Sequence, residues 1–140
     1  RTRAALAANG FTEDRVGTLQ LVPAVGYLES LALVRGAEAV VTDSGGLQRE
    51  AYWLGVPCVT VRAETEWAET VATGANALLA PAEAPTRLAE TVAAQLARWP
   101  QGRRWTPDAY GDGRAAEAVT TAIGALLSLS SVPPSRRAAE

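Results

Sequence analysis

Tyr27, Leu28, Leu31, Leu33 and Val34 fall close to the spacing of one helix face, and Leu88, Ala89, Val92, Ala93 and Leu96 repeat that spacing further along. These runs predict helices over 27–34 and 85–99. Residues 1–9 favour helix through their Ala and Leu content, with Gly10 placed as a stop. A helix over 47–54 ends at Gly55, with Pro57 beyond it, and a last helix covers 114–127. Between the helices lie short apolar runs, read as strands at 18–22, 37–42, 56–61 and 77–79. Residues 100–112 are rich in Pro and Gly and read as a loop. The tail 128–140, with Ser, two Pro and two Arg, is expected to stay disordered. Strands alternating with helices predict an α/β domain with a mostly parallel, Rossmann-like sheet.

Composition narrows the function. The 140 residues are 48% hydrophobic and 20% charged, enough for one domain with a core. A net charge of −2 argues against a broad nucleic-acid surface. No apolar run approaches the ~20 residues that span a bilayer. Histidine is absent and Cys58 is the single cysteine, so neither an internal disulfide nor a Cys/His metal cluster is expected. Cys58 lies in an apolar run and reads as a small buried hydrophobe rather than a nucleophile. Methionine is also absent, so the chain is expected to be part of a longer protein or to have lost its first residues.

The candidate chemistry sits in Thr42-Asp43-Ser44-Gly45-Gly46, between a strand and a helix. In a parallel sheet the turn after a strand's carboxyl end faces the ligand crevice. Glycines there let a ligand approach the backbone, and the first helical N–H groups favour an anion. Ser44 adds a hydroxyl for a phosphate oxygen. The simpler alternative is that Asp43 or Ser44 only caps the helix and the glycines only make a turn. Glu50 falls near the helix face of Gly46, where it could bind vicinal sugar hydroxyls or be a solvated helix charge paired with Arg49 or a neighbour. Arg62, at the crevice end of its strand, could meet phosphate or pair with Glu64 or Glu66. Trp53, Trp99 and Trp105 read as packing residues, and Arg103-Arg104 as a solvated loop.

Residues 42–70, from Thr-Asp-Ser-Gly-Gly-Leu-Gln-Arg-Glu-Ala to Thr-Glu-Trp-Ala-Glu-Thr, resemble the non-hydrolysing UDP-N-acetylglucosamine 2-epimerase family. Tyr27-Leu28 after a proline, the Gly74–Leu79 segment and Tyr110-Gly111-Asp112-Gly113-Arg114-Ala115 resemble it in the same register, so the likeness spans roughly residues 1–127. It implies the C-terminal, UDP-binding domain of a GT-B-type fold, lacking its N-terminal partner domain. By that resemblance Ser44, Gly45 and Gly46 bind the diphosphate, Glu50 the ribose, and the loop around Val25, Tyr27 and Ser30 the uracil. It also implies a cytoplasmic isomerase of cell-surface polysaccharide synthesis, homodimeric at full length, without cofactor or metal. Proton removal at C2, loss of UDP to a glycal and re-addition would invert C2. The acid and base carboxylates belong to the family's N-terminal domain, and its phosphate-side histidine would fall just before Arg1. No catalytic residue is therefore expected here, and the chain alone is expected to be inactive.

Two positions depart from the family. Ser30 replaces a frequent aromatic residue, and Trp67 stands where many members carry an arginine, which it cannot replace as a charge or a fork of donors. The Trp form resembles a branch acting on modified UDP-sugars such as diacetamido-uronic acids, although Trp67 also suits plain packing. A GT-B glycosyltransferase domain would share the glycine turn and the ribose glutamate. A non-catalytic UDP-sugar sensor or remnant domain is the third reading.

Overall fold

The structure, a computed structural model, describes residues 2–11, 18–100, 105 and 109–130. Two units divide the chain, Arg1–Leu33 and Val34–Glu140. The first contains helix α1 (Thr2–Ala8) and the start of α2 (Tyr27–Gly36). Gly10 closes α1 with φ +76°; its N–H meets the Ala7 carbonyl, and the Phe11 N–H meets that of Leu6. This paired closure needs a left-handed residue, which glycine adopts freely. At the start of α2 the Glu29 carboxylate turns back to accept the Gly26 N–H at 2.9 Å, the returning half of a capping box.

The second unit repeats one strand–helix step three times. Strand β1 (Val40–Thr42) leads to α3 (Gly45–Leu54), β2 (Cys58–Val61) to α4 (Ala68–Ala72), and β3 (Asn76–Leu79) to α5 (Ala84–Arg98). The strands are parallel and ordered β1-β2-β3, with Val40 opposite Cys58 and Cys58 opposite Asn76. Helix α3 packs on β1 and β2, α5 on β2 and β3, and α4 on β3. The central strand is accordingly buried along Cys58, Val59 and Thr60, as a covered parallel strand should be. Val34, Val40, Ala51, Val56 and Cys58 form the apolar core. Helix α6 (Ala115–Ser130) follows the loop.

The parallel α/β sheet is as expected, but several bounds differ; the strand expected over 56–61 begins only at Cys58, because the Val56 N–H still closes α3 on the Ala51 carbonyl. Residues 18–22 form no strand: Thr18 is in a turn and Leu19–Gly26 take no regular structure. A β-rich run becomes a strand only where a ladder accepts it, and the described sheet holds β1, β2 and β3 alone. The strand expected over 37–42 begins only at Val40, because the Ala37 N–H still closes α2 on the Val34 carbonyl. Helix α4 was not expected; it is one short turn-and-a-half started where the Thr70 N–H and hydroxyl both donate to the Trp67 carbonyl. The last helix runs past Leu127 to Ser130, with the Ser128 hydroxyl bonded back to the Gly124 carbonyl at 2.9 Å. Residues 131–140 of the expected tail, and Arg103-Arg104, lie outside the described residues.

Candidate functional site

The turn between β1 and α3 is built from its first residue onward. The Ser44 N–H donates to the Thr42 hydroxyl at 3.0 Å, folding the chain out of the strand. Ser44 is the N-cap of α3, with extended backbone (φ −79°, ψ 126°), and its Oγ accepts the Leu47 N–H at 3.4 Å. The capping reading of Ser44 is therefore correct. The reading of the glycines as a turn is not. Gly45 and Gly46 are the first two helical residues, and neither has a positive φ. Their N–H groups make no hydrogen bond to another described residue, as the first turn of a helix leaves them free.

What glycine provides here is room. A Cβ at Gly46 would meet only Ser44 Oγ, at 3.9 Å, so the space above it is open. A Cβ at Gly45 would lie 2.5 Å from Glu66 Oε1 and 3.5 Å from Arg62 Nη1. Arg62 and Glu66 form an ion pair at 3.0 Å, both partly solvated, directly beside the turn. Of the partners weighed for Arg62, Glu66 is the one the structure gives.

One helical turn on, Glu50 is half-buried and its carboxylate makes no hydrogen bond or ion pair to a described residue. Arg49, one partner considered for it, instead lies over the Trp67 ring, 4.4 Å from the centroid. The Trp67 ring meets the Tyr110 ring edge-on at 5.8 Å, and the Trp67 N–H donates to the Thr65 hydroxyl at 3.1 Å. Trp67 thus packs, while its indole Nε1 is buried without a partner among the described residues. Tyr110 also packs against Tyr52, and its hydroxyl donates to Glu69 at 3.3 Å. Burial, and then the Glu69 charge, push the Tyr110 phenol up to about 12. Trp99 and Trp105 pack on each other, as expected of packing residues, and Trp105 Nε1 donates to the Tyr52 carbonyl. Trp53 leans on Tyr52 with its outer face exposed.

Beneath the turn lies a polar network that the sequence reading missed. Gln48 is fully buried, and its Oε1 accepts from the Thr65 hydroxyl at 2.7 Å and from Asn76 Nδ2 at 3.1 Å. Asn76 Nδ2 also donates to the Thr70 hydroxyl at 3.2 Å, and its Oδ1 accepts from the Thr60 hydroxyl at 2.9 Å. These bonds tie α3, two residues past Gly46, to β2, β3 and the 65–70 segment that carries Glu66 and Trp67. The signal was available: helical spacing puts Gln48 on the same face as Ala51 and Tyr52, which are buried. Cys58 adjoins this network; burial pushes its thiol up to about 11, opposed in part by a contact with Thr60, which suits the inert reading.

Val25 and Tyr27 are exposed and Ser30 is half-buried, its N–H donating to the Gly26 carbonyl at 2.9 Å. All three belong to the first unit, and Ser44, Gly45 and Gly46 to the second. In the Tyr110–Ala115 segment, Gly111 and Gly113 have positive φ, and Arg114 pairs with Glu117.

Residues 1–124 match the family described as UDP-N-acetylglucosamine 2-epimerase. The chain belongs to this epimerase family. A Methanococcus maripaludis UDP-N-acetylglucosamine 2-epimerase homolog is 56% identical over 61 residues, 44% of this chain and 17% of that protein. The Pseudomonas aeruginosa UDP-2,3-diacetamido-2,3-dideoxy-D-glucuronate 2-epimerase is 37% identical over 110 residues, 77% of this chain and 29% of that one. The Methanocaldococcus jannaschii UDP-GlcNAc 2-epimerase, solved in complex with UDP-GlcNAc and UDP, superposes with a TM-score of 0.68 at 34% identity. That superposition covers 89% of this chain and 33% of that structure. The chain therefore spans a third or less of these epimerases. Family membership separates it from the glycosyltransferase reading, which shared the glycine turn but not the Thr-Glu-Trp and Tyr-Gly-Asp-Gly segments.

Proposed function

We propose that this chain is the UDP-binding part of a UDP-sugar 2-epimerase. The observation that carries the reading is the start of α3. Two glycine N–H groups, without partners among the described residues, stand at the positive end of a ten-residue helix, with open space above Gly46 and, one turn on, a carboxylate that has no partner among the described residues. A diphosphate would accept from Gly45 and Gly46, favoured by the helix dipole and by the Ser44 hydroxyl. Glu50 would accept hydrogen bonds from the ribose hydroxyls. Residues 1–127 would form this binding domain, with Val25, Tyr27 and Ser30 holding the base and Arg62 and Trp67 lining the sugar-phosphate side.

In the whole protein, the bound UDP would leave as the C2 proton is taken and return after the sugar turns its other face. Positioned acid and base groups are needed for that proton. The family resemblance puts them in an N-terminal domain, so the 140 residues bind and orient without moving the proton. The full protein would act as a cytoplasmic homodimer in the supply of sugars for surface polysaccharides.

Gly46→Ala tests this directly. Gly46 has helical backbone and room for a methyl, so alanine raises the stability of the free chain by up to about 1 kcal/mol. The same methyl fills the space a phosphate would use. Calorimetric titration with UDP should give binding by the parent chain and at least a tenfold loss in the variant, with its melting temperature unchanged or raised. Equal UDP affinity in the two chains would remove the glycine turn from the site.

A further inference from the structure

Five arginines of the second unit have described side-chain partners that can be compared; one of them, Arg98, lies over the Trp99 ring at 5.8 Å. Arg62 pairs with Glu66, Arg87 with Glu83 and Arg114 with Glu117. Arg49 does not follow these three: its side chain has no ion pair or hydrogen bond among the described residues, and its guanidinium lies over Trp67 at 4.4 Å, a closer contact than that of Arg98 with Trp99. The Trp67 ring meets the Tyr110 ring at 5.8 Å, and the Trp67 backbone N–H donates to Thr65, which Gln48 in turn holds. A guanidinium stacked on an aromatic face keeps its edge N–H donors free, in a plane suited to a carboxylate.

Position adds the second argument. Arg49 follows Gly45 by four residues and Gly46 by three, so it shares their face of α3. Helical side chains also lean towards the helix N-terminus, the end that carries the two glycines. A sugar attached to a diphosphate seated on that turn would begin beside it.

We infer that Arg49, lying over the Trp67 ring, is a specificity-determining residue that selects a UDP-sugar bearing a carboxylate, a UDP-hexuronate, over a neutral UDP-hexosamine. The inference rests on the UDP-binding reading and deepens it. The relative from Pseudomonas aeruginosa, named for a glucuronate derivative, agrees with this substrate class.

The test is titration of the 140-residue chain with UDP, UDP-N-acetylglucosamine and UDP-glucuronate, in low and high salt. The parent should bind UDP-glucuronate about two- to fivefold tighter than UDP-N-acetylglucosamine, the scale of one exposed ion pair, and salt should shrink the difference. Arg49→Gln should abolish the preference while leaving UDP affinity within about twofold; Arg49→Lys should restore part of it, as a point charge without the planar fork. Arg49 is exposed and glutamine is a good helix former, so folding is not at stake. Equal affinity of the parent for both sugars would overturn the inference. So would an Arg49→Gln chain that loses UDP and both sugars alike, since Arg49 would then be a phosphate contact. A parent chain that binds no UDP would overturn the UDP-binding reading as well, which separates the two failures.

Discussion

Replacing Asn76 by leucine should cost this small protein a large share of its stability, although leucine is close in size. Asn76 is 2% exposed and joins three partners, accepting from Thr60 at 2.9 Å and donating to Gln48 at 3.1 Å and Thr70 at 3.2 Å. Three neutral hydrogen bonds at about 0.5–1.5 kcal/mol net each give roughly 1.5–4.5 kcal/mol. Thr70 keeps its bond to the Trp67 carbonyl and Gln48 keeps Thr65. The fully buried Thr60 hydroxyl keeps only the Cys58 sulfur at 3.7 Å, a weak partner. Leucine recovers part of the loss through apolar burial, so the expected net cost is about 2–4 kcal/mol. All four tryptophans lie in the second unit, so their fluorescence in a urea titration follows that unit. The midpoint should fall by roughly 1–2 M at unchanged slope. Adding Thr60→Val removes the stranded hydroxyl, so the double variant should be about 1 kcal/mol more stable than Asn76→Leu alone. A single variant within about 0.5 kcal/mol of the parent, or a double variant less stable than the single, would refute the network as a source of stability.

Two other perturbations test separate parts of the fold. Gly74 has φ +76°, and a Cβ there would run into the Arg98 guanidinium; Gly74→Ala should cost about 1–2 kcal/mol in chemical denaturation, mostly from the left-handed backbone because Arg98 can move aside. The Cys58 thiol, raised from 9.0 to about 11, keeps its proton when folded while the unfolded chain loses it. Folded protein then binds more protons, so stability is full below pH 9 and declines as pH rises from about 9 towards 11. Tyr110 adds a decline of the same sign from 10.0 towards 12. Denaturation midpoints at pH 8, 9 and 10 should fall less steeply in Cys58→Ala than in the parent, and identical slopes would contradict the shift.

Much of this was legible because it depends on local pattern. The helices over 27–34, 47–54 and 85–99 and three strands follow from apolar spacing and from Gly and Pro stops, which need no knowledge of distant residues. The glycine turn was legible as a place but not in its geometry. Glycine suggests an unusual backbone, yet Gly45 and Gly46 are helical, and what matters is the missing Cβ beside Glu66 and under open space. The strand expected over 18–22 failed for the opposite reason, because β propensity does not supply a ladder. Arg49 sat beside Glu50 in the sequence, and pairing them was the nearest guess. Consecutive helix residues do not face each other, and Arg49 found Trp67, eighteen residues away. The Gln48–Asn76 network joins residues 28 apart and could be seen only as a polar side chain on a buried helix face.

The order β1-β2-β3 has a consequence for how the second unit comes into being. Eighteen residues separate the partners in each ladder, Val40 from Cys58 and Cys58 from Asn76. Both loop closures therefore carry similar entropy, and neither strand pair waits for a later piece of chain to be inserted between them. As the polypeptide emerges during synthesis, each new strand finds its neighbour already made, and the Ser44 turn is available as soon as β2 has joined β1. Asn76, arriving last, then locks the floor beneath a turn that is already formed.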